Sequence, residues 1–197
     1  METPLKSTEK AVLLDIARQA VVSYVRKGNL HVEPREEKAL NLRRGCFVTL
    51  TRNGQLRGCI GNFQSEWPLF REVAEMAVAS ATKDPRFYPM LEEDLDDFSV
   101  EISVLSPLQK IEDPEEIKVG THGIYLEKGY HRGVLLPQVA PEHNWDRTTF
   151  LQQTCIKAGL PSDAWRSEDV EIYVFAAEVF NDRQVAEGRL GTGLAGR

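Results

Sequence analysis

A hairpin signal around residue 53 constrains the fold more than any other feature of this 197-residue chain. The segments 46–51 and 55–60 are rich in apolar and β-branched residues, and Arg52-Asn53-Gly54 separates them. Asparagine and glycine tolerate the positive φ angles that a tight turn between antiparallel strands requires. The sequence therefore predicts a β-hairpin at this point, and with it an antiparallel pair of strands.

Apolar periodicity predicts three helices and further strands. Apolar residues recur at helical spacing in three segments, which are Ser7 to Lys27, the stretch from Pro68 to the stop at Asp84-Pro85, and 145–158. Three other segments have strand patterns, which are 98–105, a second hairpin within 122–136, and 170–180, where both faces are apolar as in a central strand.

The order of these elements indicates the fold class. Helices and strands mix without strict βαβ alternation, and the chain carries two predicted hairpins. We therefore predict an α+β fold, one domain over 5–181 with a largely antiparallel sheet flanked by helices. The segment 182–197 is glycine-rich and lacks periodicity, so we predict a disordered tail there.

The net charge and the hydropathy of the chain limit the classes of partner that it can have. The formal net charge of −6 argues against a dedicated nucleic-acid binder, because such proteins carry an excess of lysine and arginine. No apolar run approaches the roughly 18–20 residues that span a bilayer, and the first ten residues lack an apolar signal core. We expect a cytoplasmic protein without a membrane partner.

Cysteine and histidine spacing argues against a metal or redox centre. Cys46, Cys59 and Cys155 are far apart and form no CxxC pair, so we expect free thiols. The four histidines show no HxH or HxxxH spacing. We therefore expect no metal site and no cofactor.

The sequence LRGCIG at 56–61 is the main candidate site. Glycines weaken strands, so Gly58 and Gly61 mark a bulge or a place where a ligand, partner or neighbouring loop approaches the backbone. In a regular strand Arg57 and Cys59 share a face, and a cation beside a thiol favours the nucleophilic thiolate. The alternative is that Cys59 is a small buried apolar residue and that the glycines permit tight packing or a bulge.

Three other residues are candidates for the same site. His122 opens a predicted strand and could serve as a base for Cys59, or it could cap a turn or face water. Arg86 follows Pro85 on a rigid loop, where it could bind a carboxylate or phosphate, or form a structural salt bridge with a nearby acid. Gln138 lies in a rigid turn and could offer a donor and an acceptor to a ligand or to exposed backbone.

Four stretches carry a resemblance to a known family. Together they resemble the AMMECR domain family, and more narrowly its members in bacterial and archaeal AmmeMemoRadiSam systems. The stretches are LRGCIG at 56–61, DPRFYPM at 84–90, HGIYLEKGYHRGVLLPQVAPE at 122–142 and WDRTTFLQQTCIKAGLPSDAW at 145–165.

The resemblance implies a fold and partners without an activity. It implies an α+β fold of two unequal subdomains, with LRGCIG near the cleft between them. It also implies a Memo-like protein and a radical-SAM protein as partners. No established biochemical activity comes with the family name, so fold transfers more readily than function.

Two function hypotheses follow. In the first, the protein is an accessory component that binds a small molecule or a partner protein around Arg57, Cys59, Arg86 and Gln138. In the second, it is an enzyme with Cys59 as nucleophile and His122 as base, acting on an acyl or amide-like substrate. Backbone amides near Gly58 and Gly61 would then stabilise an oxyanion.

Overall fold

The computed structural model describes residues 4–186, which form two compact units. The first unit runs to Val104 and resumes at Glu178, and the second covers Leu105–Ala177. The helices are α1 (Ser7–Lys27), α2 (Leu69–Thr82), α3 (Val139–Glu142), α4 (Arg147–Lys157) and α5 (Asp182–Ala186). The strands are β1 (Cys46–Arg52), β2 (Gln55–Asn62), β3 (Phe98–Leu105), β4 (Gln109–Ile111), β5 (Gly123–Lys128), β6 (His131–Leu135), β7 (Glu171–Phe175) and β8 (Ala177–Asn181).

The α+β prediction is confirmed, with two four-stranded sheets in place of a single one. The strand orders are β2-β1-β3-β8 in the first sheet and β4-β7-β5-β6 in the second. β1 pairs antiparallel with β2 and β3, and β7 pairs antiparallel with β4 and β5. Within residues 4–186, no helix is both long and apolar enough to cross a membrane.

In the first unit, the two long helices cover one face of the sheet. Cys46, Val48 and Leu50 alternate along β1, and all three are fully buried. They share a core with apolar side chains of α1 and α2. The residues between them, Phe47 and Thr49, point to the opposite face and are half-buried. One face of the sheet is therefore buried and the other is more accessible. Cys59 pairs with Thr49 and lies on the accessible face.

The hairpin prediction is confirmed, but β2 is not a regular strand. Asn53 and Gly54 have φ angles of 52° and 76°, as the tight turn requires. Leu50 pairs with Gly58 while Thr51 pairs with Leu56, so Arg57 is an extra residue without a partner opposite. This β-bulge removes the regular geometry on which the expected pairing of Arg57 with Cys59 depended.

In the second unit, the sheet packs on α4. The buried residues Ile124 and Leu126 of β5 and Ile172 and Val174 of β7 share a core with Phe150 of α4. The second predicted hairpin is confirmed as β5 and β6. β4 was not predicted, because a strand of three residues is too short to show a period.

The prediction of one strand over 170–180 is wrong. The chain forms β7 and β8 there, and they belong to different sheets. Ala176 separates the two strands. Its N–H donates to the Ser106 hydroxyl at 2.9 Å, and its carbonyl accepts from the Ser106 N–H, also at 2.9 Å. Each strand buries apolar residues in its own core, so the sequence shows one uninterrupted apolar run.

The first residues of the predicted disordered tail form α5. Asp182 anchors this helix, because its carboxylate accepts from the Arg18 guanidinium at 2.5 Å and from the Val100 N–H at 2.9 Å. Residues 187–197, the remainder of the predicted tail, lie outside the described residues.

Candidate functional site

Gly58 lets α2 lie directly on the β1–β2 hairpin. A Cβ atom at Gly58 would overlap the carbonyl oxygen of Ser80 and lie 2.9 Å from its carbonyl carbon. The buried Ser80 hydroxyl donates to the Val48 carbonyl at 2.7 Å and accepts from the Ile60 N–H at 2.8 Å. Since Val48 and Ile60 face each other across the hairpin, this hydroxyl bridges the two strands.

Gly61 makes room for an aromatic ring. A Cβ atom there would overlap Cγ of Phe47 and the carbonyl oxygen of Cys46. The Phe47 ring in turn meets Phe63 edge to face, with ring centroids 5.0 Å apart. The protein's own atoms thus fill the space beside both motif glycines, as the tight-packing alternative predicts.

Cys59 is the accessible cysteine of the described chain. Its side chain is half-buried, and its sulfur accepts from the Thr49 hydroxyl at 3.3 Å. Cys46 and Cys155 are fully buried, and burial raises the pKa of both thiols. All three cysteines are free thiols, as expected.

Asp84 organises the polar groups around Cys59. Its carboxylate, 3% exposed, accepts from the Cys59 N–H at 2.8 Å and from the Arg86 N–H at 3.1 Å. The Arg86 side chain adds two bonds, from Nε at 3.0 Å and from Nη2 at 2.7 Å. Hydrogen bonds from the Arg86 side chain have the largest effect on the pKa of Asp84, and the N–H groups of Cys59 and Arg86 add to it. Together they hold this pKa well below its ordinary value, although burial acts in the opposite direction.

Arg86 therefore forms the salt bridge that was the alternative to ligand binding. Its side chain is 55% exposed, so part of it still faces solvent. Hydrogen bonds to Asp84 foremost, and then the charge of Asp84, raise the pKa of Arg86. Arg86 thus bonds the same carboxylate as the Cys59 N–H, whereas the sequence suggested Arg57 as the cation beside Cys59.

Arg57 instead anchors the segment that follows α2. Its Nη1 donates to the Tyr88 carbonyl at 2.8 Å, and its Nη2 donates to Asp94 at 3.0 Å. Arg52 also donates to Asp94, at 2.5 Å. Burial opposes ionisation of Asp94, but the Leu91 N–H and these two guanidinium groups hold its pKa below the ordinary value.

His122 and Gln138 belong to the second unit, whereas the other five predicted site residues belong to the first. The His122 Nδ1 atom lies 3.4 Å from the Lys118 backbone nitrogen, and the backbone N–H of His122 donates to the Lys118 carbonyl at 2.8 Å. Burial has the largest effect on the pKa of His122 and lowers it, and the positive charge of Lys118 lowers it further. These contacts match the turn-capping alternative. Gln138 is the N-cap of α3, where its exposed side chain makes no capping bond.

The residues that hold the motif in place were not predicted as site residues. Asp84 was interpreted only as a helix stop before Pro85, and Ser80 and Asp94 were not considered. One signal was present: Ser80 is a polar residue on the helical face that Ala77 and Ala81 mark as apolar. Across residues 4–186, no group of three or more histidine, cysteine or acidic side chains could hold a metal ion.

Comparison with known proteins identifies the family. The AMMECR1 family model matches residues 14–180, which is most of the chain. The chain belongs to the AMMECR1 family. A relative from Thermococcus onnurineus is 46% identical over 182 residues, covering 86% of this chain and 88% of the relative. Another, from Methanothermobacter thermautotrophicus, is 42% identical, covering 91% and 97%.

A solved AMMECR1-family neighbour has the same fold. The crystal structure of the uncharacterized protein PH0010 from Pyrococcus horikoshii matches with a TM-score of 0.77 and 42% sequence identity. The match covers 86% of this chain and 89% of that one. The name of that neighbour gives no activity, so the function is inferred from the geometry of the site.

Proposed function

We propose that this AMMECR1-family protein is an accessory component that binds a partner protein through the LRGCIG strand and the segment 84–94. One observation carries the proposal: the polar groups of the motif are bonded within their own unit. The Cys59 and Ile60 N–H groups donate to Asp84 and Ser80. Arg57 is bonded to Asp94 and to the Tyr88 carbonyl. Such a motif supports a rigid surface.

The surface presents apolar side chains on a fixed backbone. Arg57 bonds the Tyr88 carbonyl, Arg52 bonds the Glu93 carbonyl at 2.9 Å, and the Met90 N–H donates to the Ala81 carbonyl at 2.8 Å. Yet Tyr88 is 92% exposed and Leu91 is 60% exposed. A partner would meet a tyrosine, one of the residue types that dominate binding energy, on a backbone that is already held in place, so less backbone entropy is lost on binding.

The family resemblance supplies the candidate partners. In an AmmeMemoRadiSam system, a Memo-like protein and a radical-SAM protein would carry out the redox chemistry. The AMMECR1-family protein would bind one or both of them.

Removing the exposed tyrosine tests this proposal. In Tyr88→Ala, we expect binding to the Memo-like or radical-SAM protein of the same genome to weaken about tenfold or more, because an anchoring aromatic is lost. Isothermal titration calorimetry with purified proteins measures the effect. Tyr130→Ala is the matched control, since Tyr130 is also fully exposed but lies in the second unit. Equal affinities of the two variants, or no binding of either partner to the wild type, would refute the proposal.

A cysteine-dependent enzyme is the second candidate function. In its favour, the Cys59 thiol is partly exposed and accepts a hydrogen bond from the Thr49 hydroxyl, and the Cys59 N–H and the Arg86 side chain bond the same Asp84 carboxylate. Against it, the Cys59 and Ile60 amides already have acceptors and are not free to bind an oxyanion. The His122 ring is held by the backbone of its own turn.

Alkylation rates separate the two functions. We expect iodoacetamide to modify Cys59 alone in the folded protein, because Cys46 and Cys155 are fully buried. Peptide mass spectrometry follows each cysteine from mildly acidic to mildly alkaline pH, in the wild type and in His122→Ala. A Cys59 rate that does not depend on His122 is expected for a binding component. A fast reaction at neutral pH that is lost in His122→Ala would instead favour the enzyme and justify a substrate screen.

A further inference from the structure

The apolar surface at Tyr88 and Leu91 continues into an acidic rim. Glu92, Glu93, Asp96 and Asp97 follow Leu91 closely, and all four are exposed. None of them makes an ion pair within residues 4–186. Asp94, in contrast, is buried and neutralised by Arg52 and Arg57.

The hydrogen bonds of Asp94 hold the backbone of both the apolar surface and the acidic rim. Asp94 accepts hydrogen bonds from the Leu91 N–H at 2.9 Å and from the guanidinium groups of Arg52 and Arg57. These bonds fix the backbone next to the exposed side chains on both sides of Asp94. The buried Leu95 anchors the chain between Glu93 and Asp96. The apolar anchors and the free carboxylates are therefore presented together.

From this charge pattern we infer the chemistry of the partner: a protein that surrounds an apolar pocket with lysine or arginine side chains. The pocket receives Tyr88 and Leu91, and the basic side chains pair with the four free carboxylates. An acidic rim repels nucleic acids and anionic membranes, so the occupant is a protein. This inference rests on the proposed function and adds the partner's charge to it.

Two matched peptides test the inference without a natural partner. One presents tryptophan and leucine among lysines, and the other replaces every lysine with glutamate. Fluorescence anisotropy measures their binding to the intact protein. We expect the basic peptide to bind, the acidic peptide not to bind, and added salt to weaken the complex.

Charge-matched variants locate the binding surface. Combining Glu92→Gln, Glu93→Gln, Asp96→Asn and Asp97→Asn should weaken the basic peptide about tenfold, because several exposed pairs are lost together. The control combines Glu33→Gln, Glu36→Gln, Glu37→Gln and Glu66→Gln, which removes the same charge from other exposed positions. Tyr88→Ala should also weaken binding.

The outcomes distinguish this inference from the proposed function. Equal binding of the two peptides, or equal weakening by the two sets of charge changes, would overturn the inference. Selective peptide binding without affinity for the Memo-like or radical-SAM protein would uphold the surface chemistry and refute those partners. If binding of the Memo-like or radical-SAM protein depends on Tyr88 but not on the four carboxylates or on salt, the proposed function stands and the inference about the partner's charge is overturned.

Discussion

Replacing Gly58 with alanine is expected to lower the free energy of unfolding by about 3 kcal/mol. The added methyl group would overlap the Ser80 carbonyl oxygen, which belongs to the backbone of α2 and cannot rotate away. Relief requires the helix to move off the hairpin, and the Ser80 hydroxyl would then lose its bonds to Val48 and Ile60. Urea denaturation followed by circular dichroism measures the change.

Gln55→Ala is the control for this substitution. Gln55 lies on the same strand with an exposed side chain, so its loss should change stability by no more than about 0.5 kcal/mol. If Gly58→Ala were as stable as Gln55→Ala, close packing of α2 against the hairpin would not explain the glycine.

Replacing Asp84 with asparagine is expected to cost about 2–3 kcal/mol at neutral pH. Asparagine keeps the shape but loses the charge, and its NH2 group would face donors of Arg86 or the Cys59 N–H where the carboxylate now accepts. Hydrogen bonds to a buried charged acceptor are the stronger class, so their loss should exceed that of a neutral pair.

The cost of Asp84→Asn should depend on pH. The folded-state pKa of Asp84 lies below the ordinary value of 3.8, so its carboxylate stabilises the fold above that pH. The contribution is lost as pH falls below about 4 toward the folded-state pKa. Urea denaturation of both proteins from neutral to acidic pH should show the difference shrinking below about pH 4. A difference that is constant with pH would mean that the charge of Asp84 contributes nothing.

Asp146→Asn serves as the pH control. Asp146 also has a lowered pKa, through its bonds to Thr149, but it caps α4 on the surface of the second unit. Because water competes for an exposed carboxylate, its loss should have a smaller effect than that of Asp84.

Local sequence signals predicted the elements that depend on local chemistry. The helix predicted from about Ser7 to Lys27 is confirmed, because its apolar stripe is long and Gly28 ends it in a left-handed conformation. The Asn53-Gly54 turn needs only two residues of the right type. Such elements are specified by neighbours in the sequence, so one chain is enough to find them.

Contacts between distant residues could not be predicted in the same way. The bulge at Arg57 lies in the register with the partner strand, and the Arg57 side chain bonds Asp94, 37 positions along the chain. The role of Asp84 depends on the Cys59 N–H, 25 positions away. The LRGCIG motif located the site, but its bonding partners depend on how α2 and the segment after it pack.

The break at Ala176 has a consequence for how the chain is assembled. β3 and β8 are neighbours in the first sheet, and the chain leaves that sheet after β3 and returns to it at β8. Ser106 and Ala176, close to the departure and return points, are tied by two backbone-linked hydrogen bonds. The second unit is therefore an insertion whose two ends meet. Changes in its length or sequence can be accommodated without altering the strand order of the sheet that carries LRGCIG.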